Sequence, residues 1–340
     1  MKHTPLHCIF VGARNRGSMI LDLFTSRSER YAPVALVDVS EDAAAEEIRR
    51  RGWNSEAWAT AAFGSLEAAV EQIEADACVI TSPARFHGSQ MRCALEAGLN
   101  VFVESPMTYD LDEAVNLVEL AESRELCIVV DQYQRYSRTE QTLAEWIRER
   151  RYGEVGFVSF SVNTYRPEMG SFTSEDPFIW EQGAHSFDSL IAILRHPVKS
   201  VTAFQMRPFW SSYNGATVAM GVLEFESSIP CHYLGTFDSR AFGTEIRFEM
   251  EKATVRALAE SSWEKRLEVC LPGKSFEPVG IEDSQQETPL ESHAIESFFQ
   301  GCTEGGRVAN DGRENLRTLA AVDAFVRSSR ACMREEVRRL

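Results

Sequence analysis

The sequence is short of lysine. Of 35 basic side chains only Lys2, Lys199, Lys252, Lys265 and Lys274 are lysines, so in the stretch from residue 3 to residue 198 arginine and histidine must supply any cation. Metal-ligand spacing is also missing. The eight cysteines, at 8, 78, 93, 127, 231, 270, 302 and 332, form no C-x-x-C pair, and the seven histidines are dispersed. This pattern predicts no metal site and reduced, mostly buried thiols. Excess positive charge is absent as well. A formal net charge of −16 repels nucleic acid and anionic membrane surfaces, which leaves small molecules as the expected partners. No window approaches the roughly 18 apolar residues of a membrane span. Met1 to Phe10 lacks the hydrophobic core of a signal peptide, and a cytoplasmic protein is expected.

What is present is ordinary globular composition, 44% hydrophobic and 25% charged, over 340 residues, a length that exceeds what one core usually fills. Residues 6 to 131 alternate short apolar strands with helical stretches. Strands are expected at Leu6 to Val11, Pro33 to Val39, Ala77 to Thr81, Asn100 to Val103 and Cys127 to Asp131, with helices at Ser65 to Glu74, Ser89 to Ala97 and Leu111 to Glu122. This predicts an α/β fold with a doubly wound parallel sheet, a Rossmann domain, over residues 1–130. Residues 131–340 begin with a helix to about Arg150 and a turn at Gly153 and Gly156. Strand candidates follow at Phe157 to Thr164, Val201 to Met206, Thr217 to Glu226, His232 to Asp238 and Ile246 to Met250. They predict a large, open, mostly antiparallel sheet. Helices at Glu291 to Phe299 and Gly312 to Met333 close the chain and are expected to pack back towards the first domain, and Glu282 to Thr288 is expected to be an exposed loop.

The first strand ends in Gly12-Ala13-Arg14-Asn15-Arg16-Gly17. This is the dinucleotide fingerprint G-x-G-x-x-G with Arg14 in place of the middle glycine, a position that normally lets backbone approach a pyrophosphate. The arginine guanidinium offers a phosphate contact instead. Asp38 lies 26 residues beyond Gly12 at the second strand end, where a carboxylate binds the adenosine ribose hydroxyls and repels a 2′-phosphate. NAD is therefore expected over NADP. Thr81-Ser82-Pro83 with His87, and Glu104-Ser105-Pro106, fall at two further strand ends, the edge of an open α/β sheet where ligands bind.

These segments, with Ala97-Gly98, Arg135-Tyr136 and the Gly183 to Asp188 stretch, resemble the family of glucose-fructose oxidoreductase, inositol dehydrogenase and the rhizopine-catabolism protein MocA. The resemblance covers nearly the whole chain. It implies a Rossmann domain followed by a substrate domain, often oligomeric through its open sheet, acting on sugars or cyclitols. A homo-oligomer, dimer or tetramer, is thus expected. The family's tripeptide is usually Glu-Lys-Pro, with its lysine between nicotinamide and substrate hydroxyl; here that position is Ser105. An ammonium steadies developing negative charge, whereas a serine hydroxyl stays neutral. Arg85, Arg135, Tyr165 and Arg166 are candidate replacements.

Glu181-Gln182-Gly183-Ala184-His185-Ser186-Phe187-Asp188 resembles the family's acidic-x-x-x-His-x-x-Asp pattern, in which acid and histidine contact substrate. At about 100° per residue, Glu181, His185 and Asp188 share one helix face, while Phe187, Leu190, Ile191 and Leu194 lie opposite and anchor it. His185 is the expected base, since imidazole titrates near working pH. Glu181 would orient it, and Arg135, Arg166, Trp180 and Asp188 are substrate-binding candidates. Phe172, Phe178, Phe209, Trp210 and Tyr213 are further aromatics of the kind that stack on sugar faces.

Three readings stay open. The first is an NAD-dependent dehydrogenase or reductase for a polyhydroxylated ring. The second is a redox-neutral, NAD-dependent glycosidase or lyase that oxidises its substrate transiently, with Tyr165 as added acid or base; members of the family with that chemistry also lack the lysine. The third is a non-catalytic sugar or dinucleotide sensor.

Overall fold

The computed structural model describes residues 5–54, 59–167, 174–281 and 289–340. Both Phe172 and the loop expected at Glu282 to Thr288 lie outside them. The chain forms two compact units, Met1–Tyr133 with Pro289–Leu316, and Gln134–Thr288 with Arg317–Leu340.

The first unit runs β1 (Leu6–Val11), α1 (Arg16–Thr25), β2 (Tyr31–Val37), α2 (Glu41–Arg51), β3 (Ala61–Phe63), α3 (Leu66–Gln72), β4 (Ala77–Ile80), α4 (His87–Glu96), β5 (Asn100–Glu104), α5 (Leu111–Ser123) and β6 (Ile128–Asp131). Its six strands pair in parallel in the order β3-β2-β1-β4-β5-β6. Near-continuous apolar runs such as Ala77 to Ile80 suit strands covered on both faces. Helix signals are local: Ser40 accepts from the Ala43 amide to start α2, Gly52 ends it with φ of 70°, and acidic residues open that helix while arginines close it. Phe24 centres the core, with ring centroids 4.7 to 6.2 Å from those of Tyr31, Phe102, Phe10 and Phe298. Phe298 belongs to α8 (Glu291–Glu304). The Tyr31 hydroxyl donates to the Ile295 carbonyl, and a bridge joins Val129 to Asp311, so residues 289–316 complete this core.

Strand β2 begins and ends two residues before the expected span; just beyond it the Gly12 amide donates to the Val37 carbonyl and the Asp38 amide to the Phe63 carbonyl. Strand β3, an edge of three residues, is too short for an alternation signal.

The second unit contains α6 (Arg138–Arg148), β7 (Val155–Tyr165), α7 (Ala184–Leu194), β8 (Val198–Met206), β9 (Val218–Phe225), β10 (Pro230–Thr236), β11 (Asp238–Met250), β12 (Thr254–Ala259), β13 (Arg266–Cys270), β14 (Glu277–Val279) and β15 (Glu335–Glu336). These nine strands form one sheet, ordered β14-β13-β12-β11-β7-β10-β9-β8-β15, antiparallel except where β10 runs parallel to β7. Helix α9 (Gly312–Ala331) belongs to this unit from Arg317 onward. Tyr233 packs edge-on against Phe160, Phe187 and Phe325, which seats α7 and α9 on one sheet face. The other face exposes Phe204, Met206 and Val222. Among the described residues no helix is long and apolar enough to cross a membrane. None of the eight cysteines forms a disulfide; Cys8, Cys78, Cys231 and Cys302 are buried, and Cys332 is exposed.

Candidate active site

The fingerprint turn is built by contacts that only glycine permits. Gly12 has φ of 82°, and a Cβ there would stand 2.9 Å from the Ser82 amide nitrogen. At Gly17 it would stand 2.7 Å from Thr81 Oγ1, which donates to the Gly12 carbonyl at 2.7 Å. The end of β4 therefore braces the turn against the start of α1. Asn15 precedes that helix at φ of 51° without a side-chain cap, and both Arg14 and Asn15 are exposed. An uncapped helix start beside a glycine turn suits a phosphate, since first-turn amides point outward with the positive end of the helix dipole. Asp38 Oδ1 accepts from the Val39 amide at 2.7 Å, and its Oδ2 makes no hydrogen bond among the described residues.

Arg16, a cofactor-binding candidate as part of the fingerprint, is engaged within the protein. Its guanidinium is held by Glu104 at 2.9 Å, Asp131 at 3.1 Å and Glu291 at 2.9 Å, and lies over the Tyr133 ring. Glu104, expected at the cofactor, is thereby engaged as well. One cation among three carboxylates leaves negative charge in excess. Burial, together with Glu104 and Glu291, pushes the Asp131 carboxyl well above the usual range against the pull of Arg16. Burial raises Glu104 also. Sequence reasoning misses Asp131, Glu291 and Tyr133. Only Asp131 carries a signal, as a charged residue closing a buried strand.

His87 is likewise internal, 1% exposed, with Nδ1 2.9 Å from the Pro106 carbonyl and Nε2 2.8 Å from the Ser82 carbonyl. Burial lowers its pKa against these two carbonyls, and the ring lies between the loop after β4 and the loop after β5. Pro83 opens the short turn leading to α4. Ser105 Oγ accepts from Gln132 Nε2 at 3.0 Å.

In the second unit, Ile179–Gly183 form a π-turn running directly into α7. Such turns are rare and recur at functional sites. Glu181 sits in it, so the α-helical angle expected between Glu181 and His185 does not hold. Throughout Ile179 to Leu194 only Glu181, His185 and Ala192 escape burial. Asp188, a substrate-binding candidate in the sequence, is instead 2% exposed and bound by Arg135 at 2.8 and 2.6 Å and by the Thr318 hydroxyl at 3.2 Å. Arg135 and Asp188 hold one another inside the unit. Trp180, Phe178 and Tyr213 are buried, whereas Phe209 and Trp210 are exposed. Tyr165 ends β7 exposed, and the next residue, Arg166, lies over the Phe237 ring at 5.1 Å. Phe237 in turn packs on Phe178 at 4.9 Å, which brings the end of β7 to the start of the π-turn.

Residues 6–132 match the oxidoreductase family with NAD-binding Rossmann fold, GFO/IDH/MocA, and residues 141–256 match the GFO/IDH/MocA C-terminal domain. The chain belongs to the GFO/IDH/MocA oxidoreductase family. Its first unit is an NAD-binding Rossmann domain. Protein y4oX of Sinorhizobium fredii is 24% identical over 97% of this chain and 94% of its own length. The D-glucoside 3-dehydrogenase of Escherichia coli is 26% identical over 60% of this chain and 58% of its own. The WlbA dehydrogenase of Bordetella pertussis, solved with NADH and UDP-GlcNAcA, shares the fold at a TM-score of 0.82 and 19% identity, over 98% of this chain and 99% of that one.

Within the GFO/IDH/MocA frame the departure at Ser105 gains a partner. Gln132 is 1% exposed, and nothing in the sequence distinguishes it, since a glutamine after a strand carries no signal.

Proposed function

We propose that this protein is an NAD-dependent dehydrogenase or reductase moving a hydride between nicotinamide and a hydroxyl of a sugar, sugar derivative or cyclitol. The observation that carries this reading is that Glu181 and His185 are only half-buried on a π-turn and helix whose other polar residues are buried. An imidazole so placed can take a hydroxyl proton, and a carboxylate one turn earlier can orient it. Tyr165 and Arg166, at the adjoining strand end, offer a phenol and a cation to a polyhydroxylated substrate. Gly12, Gly17 and the uncapped start of α1 would hold the pyrophosphate, with Arg14 beside it, and Asp38 the adenosine ribose. The bound nicotinamide would supply the hydride acceptor. Named relatives acting on a glucoside or binding a nucleotide sugar support this substrate class.

The test is NAD-dependent oxidation of a panel of sugars and cyclitols, followed for wild type and His185→Ala. The variant is expected to lose on the order of 10² to 10⁴ in kcat while keeping NAD affinity. Full turnover by the variant would refute the assignment.

A second reading, redox-neutral glycosidase or lyase chemistry, is favoured by neutral Ser105 where the family carries lysine. Mass spectrometry of nucleotide released on denaturation separates the two: stoichiometric, slowly exchanging NAD supports the second reading, freely exchanging NAD the first. The exposed face of the nine-stranded sheet, with Phe204, Met206 and Val222, is the proposed contact of a homodimer or tetramer, read by sedimentation.

A further inference from the structure

We infer that Gln132 is a positioning residue which fixes the Ser105 hydroxyl as a hydrogen-bond donor to the carboxamide oxygen of the bound nicotinamide. This rests on the dinucleotide reading above.

Ser105 follows β5 and Gln132 follows β6, whose last residues, Glu104 and Asp131, pair in register. The strand order reverses between β1 and β4, and each half of such a sheet holds one mononucleotide. Asp38, following β2, assigns the adenosine half to β1, β2 and β3. The ends of β4, β5 and β6 therefore face the nicotinamide half.

Gln132 is held from several directions. Its amide nitrogen donates to the Val130 carbonyl at 2.8 Å, its carbonyl accepts from Asn310 Nδ2 at 3.2 Å, and its side chain is buried. Nε2 donates to Ser105 Oγ, so the serine oxygen is an acceptor in that bond and its own proton must point elsewhere. Ser105 is only half-buried, which leaves that proton access to a ligand. The other end of the Gln132 amide, Oε1, is buried with no hydrogen-bond partner among the described residues. An apolar side chain of similar volume would avoid that unpaired acceptor. A purely structural role therefore gives glutamine no advantage, whereas aiming Ser105 does. A neutral hydroxyl donor suits a neutral carboxamide oxygen, which needs direction and no added charge.

The experiment is calorimetric titration of the full-length protein with NADH and, separately, with ADP-ribose, which lacks the nicotinamide ring. Wild type is expected to bind both. Ser105→Ala and Gln132→Leu are each expected to weaken NADH about three- to tenfold, the range of one neutral hydrogen bond, and to leave ADP-ribose unchanged. The double variant should lose no more than Ser105→Ala alone, Ser105→Thr should restore binding, and the melting temperature of Gln132→Leu should not fall. NADH affinity unchanged in both variants, equal losses for the two ligands, or additive losses in the double variant would overturn the inference while the dinucleotide reading stands. Wild type binding neither ligand would overturn both.

Discussion

The Arg135–Asp188 pair ties the segment before α6 to the helix that carries His185. Both side chains are buried, at 9% and 2% exposure, and two bonds of 2.8 and 2.6 Å give the forked geometry of the strongest ion pairs. Asp188→Asn keeps the shape and removes the charge, leaving a guanidinium buried without its counterion. Breaking such a pair from one side costs about 3–5 kcal/mol. At about 2–4 °C per kcal/mol for a unit of this size, melting should fall by roughly 6–20 °C. Replacing both partners, as Arg135→Met with Asp188→Leu, removes the unpaired charge and should recover most of the loss, because the desolvation of both ions disappears with them. Scanning calorimetry on wild type, Arg135→Met, Asp188→Leu and their double variant reads the cycle, with Asp188→Asn measured beside them. A loss under about 1 kcal/mol in Asp188→Asn, typical of exposed pairs, would refute the burial argument. So would a double variant as unstable as the sum of the singles.

Gly12→Ala should weaken NAD binding at least about tenfold in a fluorescence titration, since the new Cβ meets backbone at 2.9 to 3.1 Å and the left-handed φ adds about 1–2 kcal/mol of strain; unchanged affinity would remove the turn from the cofactor site. Asp38→Ser should improve NADP binding about tenfold or more relative to NAD by removing a carboxylate that repels the 2′-phosphate, and an unchanged ratio would place the ribose elsewhere. Asp131 holds its proton more tightly folded than unfolded, because burial raises its pKa. Its contribution to stability is therefore complete below the unfolded carboxyl value of about 3.9 and is lost as pH rises through the folded value. The melting temperature of Asp131→Asn relative to wild type should thus climb as pH rises above the unfolded carboxyl value. A difference constant with pH would contradict the raised pKa.

Much of the first sheet is legible in the sequence. Strand β1 falls on the expected residues, and β4, β5 and β6 depart by one residue at one end, because buried parallel strands are apolar throughout and bounded by turn residues. The second sheet is harder to read. Strands β12 and β13 and the parallel pairing of β10 with β7 leave no clear trace in the residue pattern, since alternation reveals a strand without revealing its neighbour. The helix wheel over Glu181 to Asp188 fails at both ends for related reasons: a π-turn changes the angle locally, and the face Asp188 occupies depends on Arg135 being there to meet it.

The sequence by itself determined the glycine turn, the acidic residue after β2, the Ser105 substitution and the family, because each is set by neighbours along the chain or by the order of short motifs. Only the tertiary structure decided what the charged and polar groups do. Arg16 meets Glu104 and Asp131 across 88 and 115 residues, Arg135 meets Asp188 across 53, and Gln132 meets Ser105 across 27. A charge or an amide in a sequence has many possible partners. Burial selects one, because a polar group withdrawn from water must be paired by whatever the packing brings within about 3 Å.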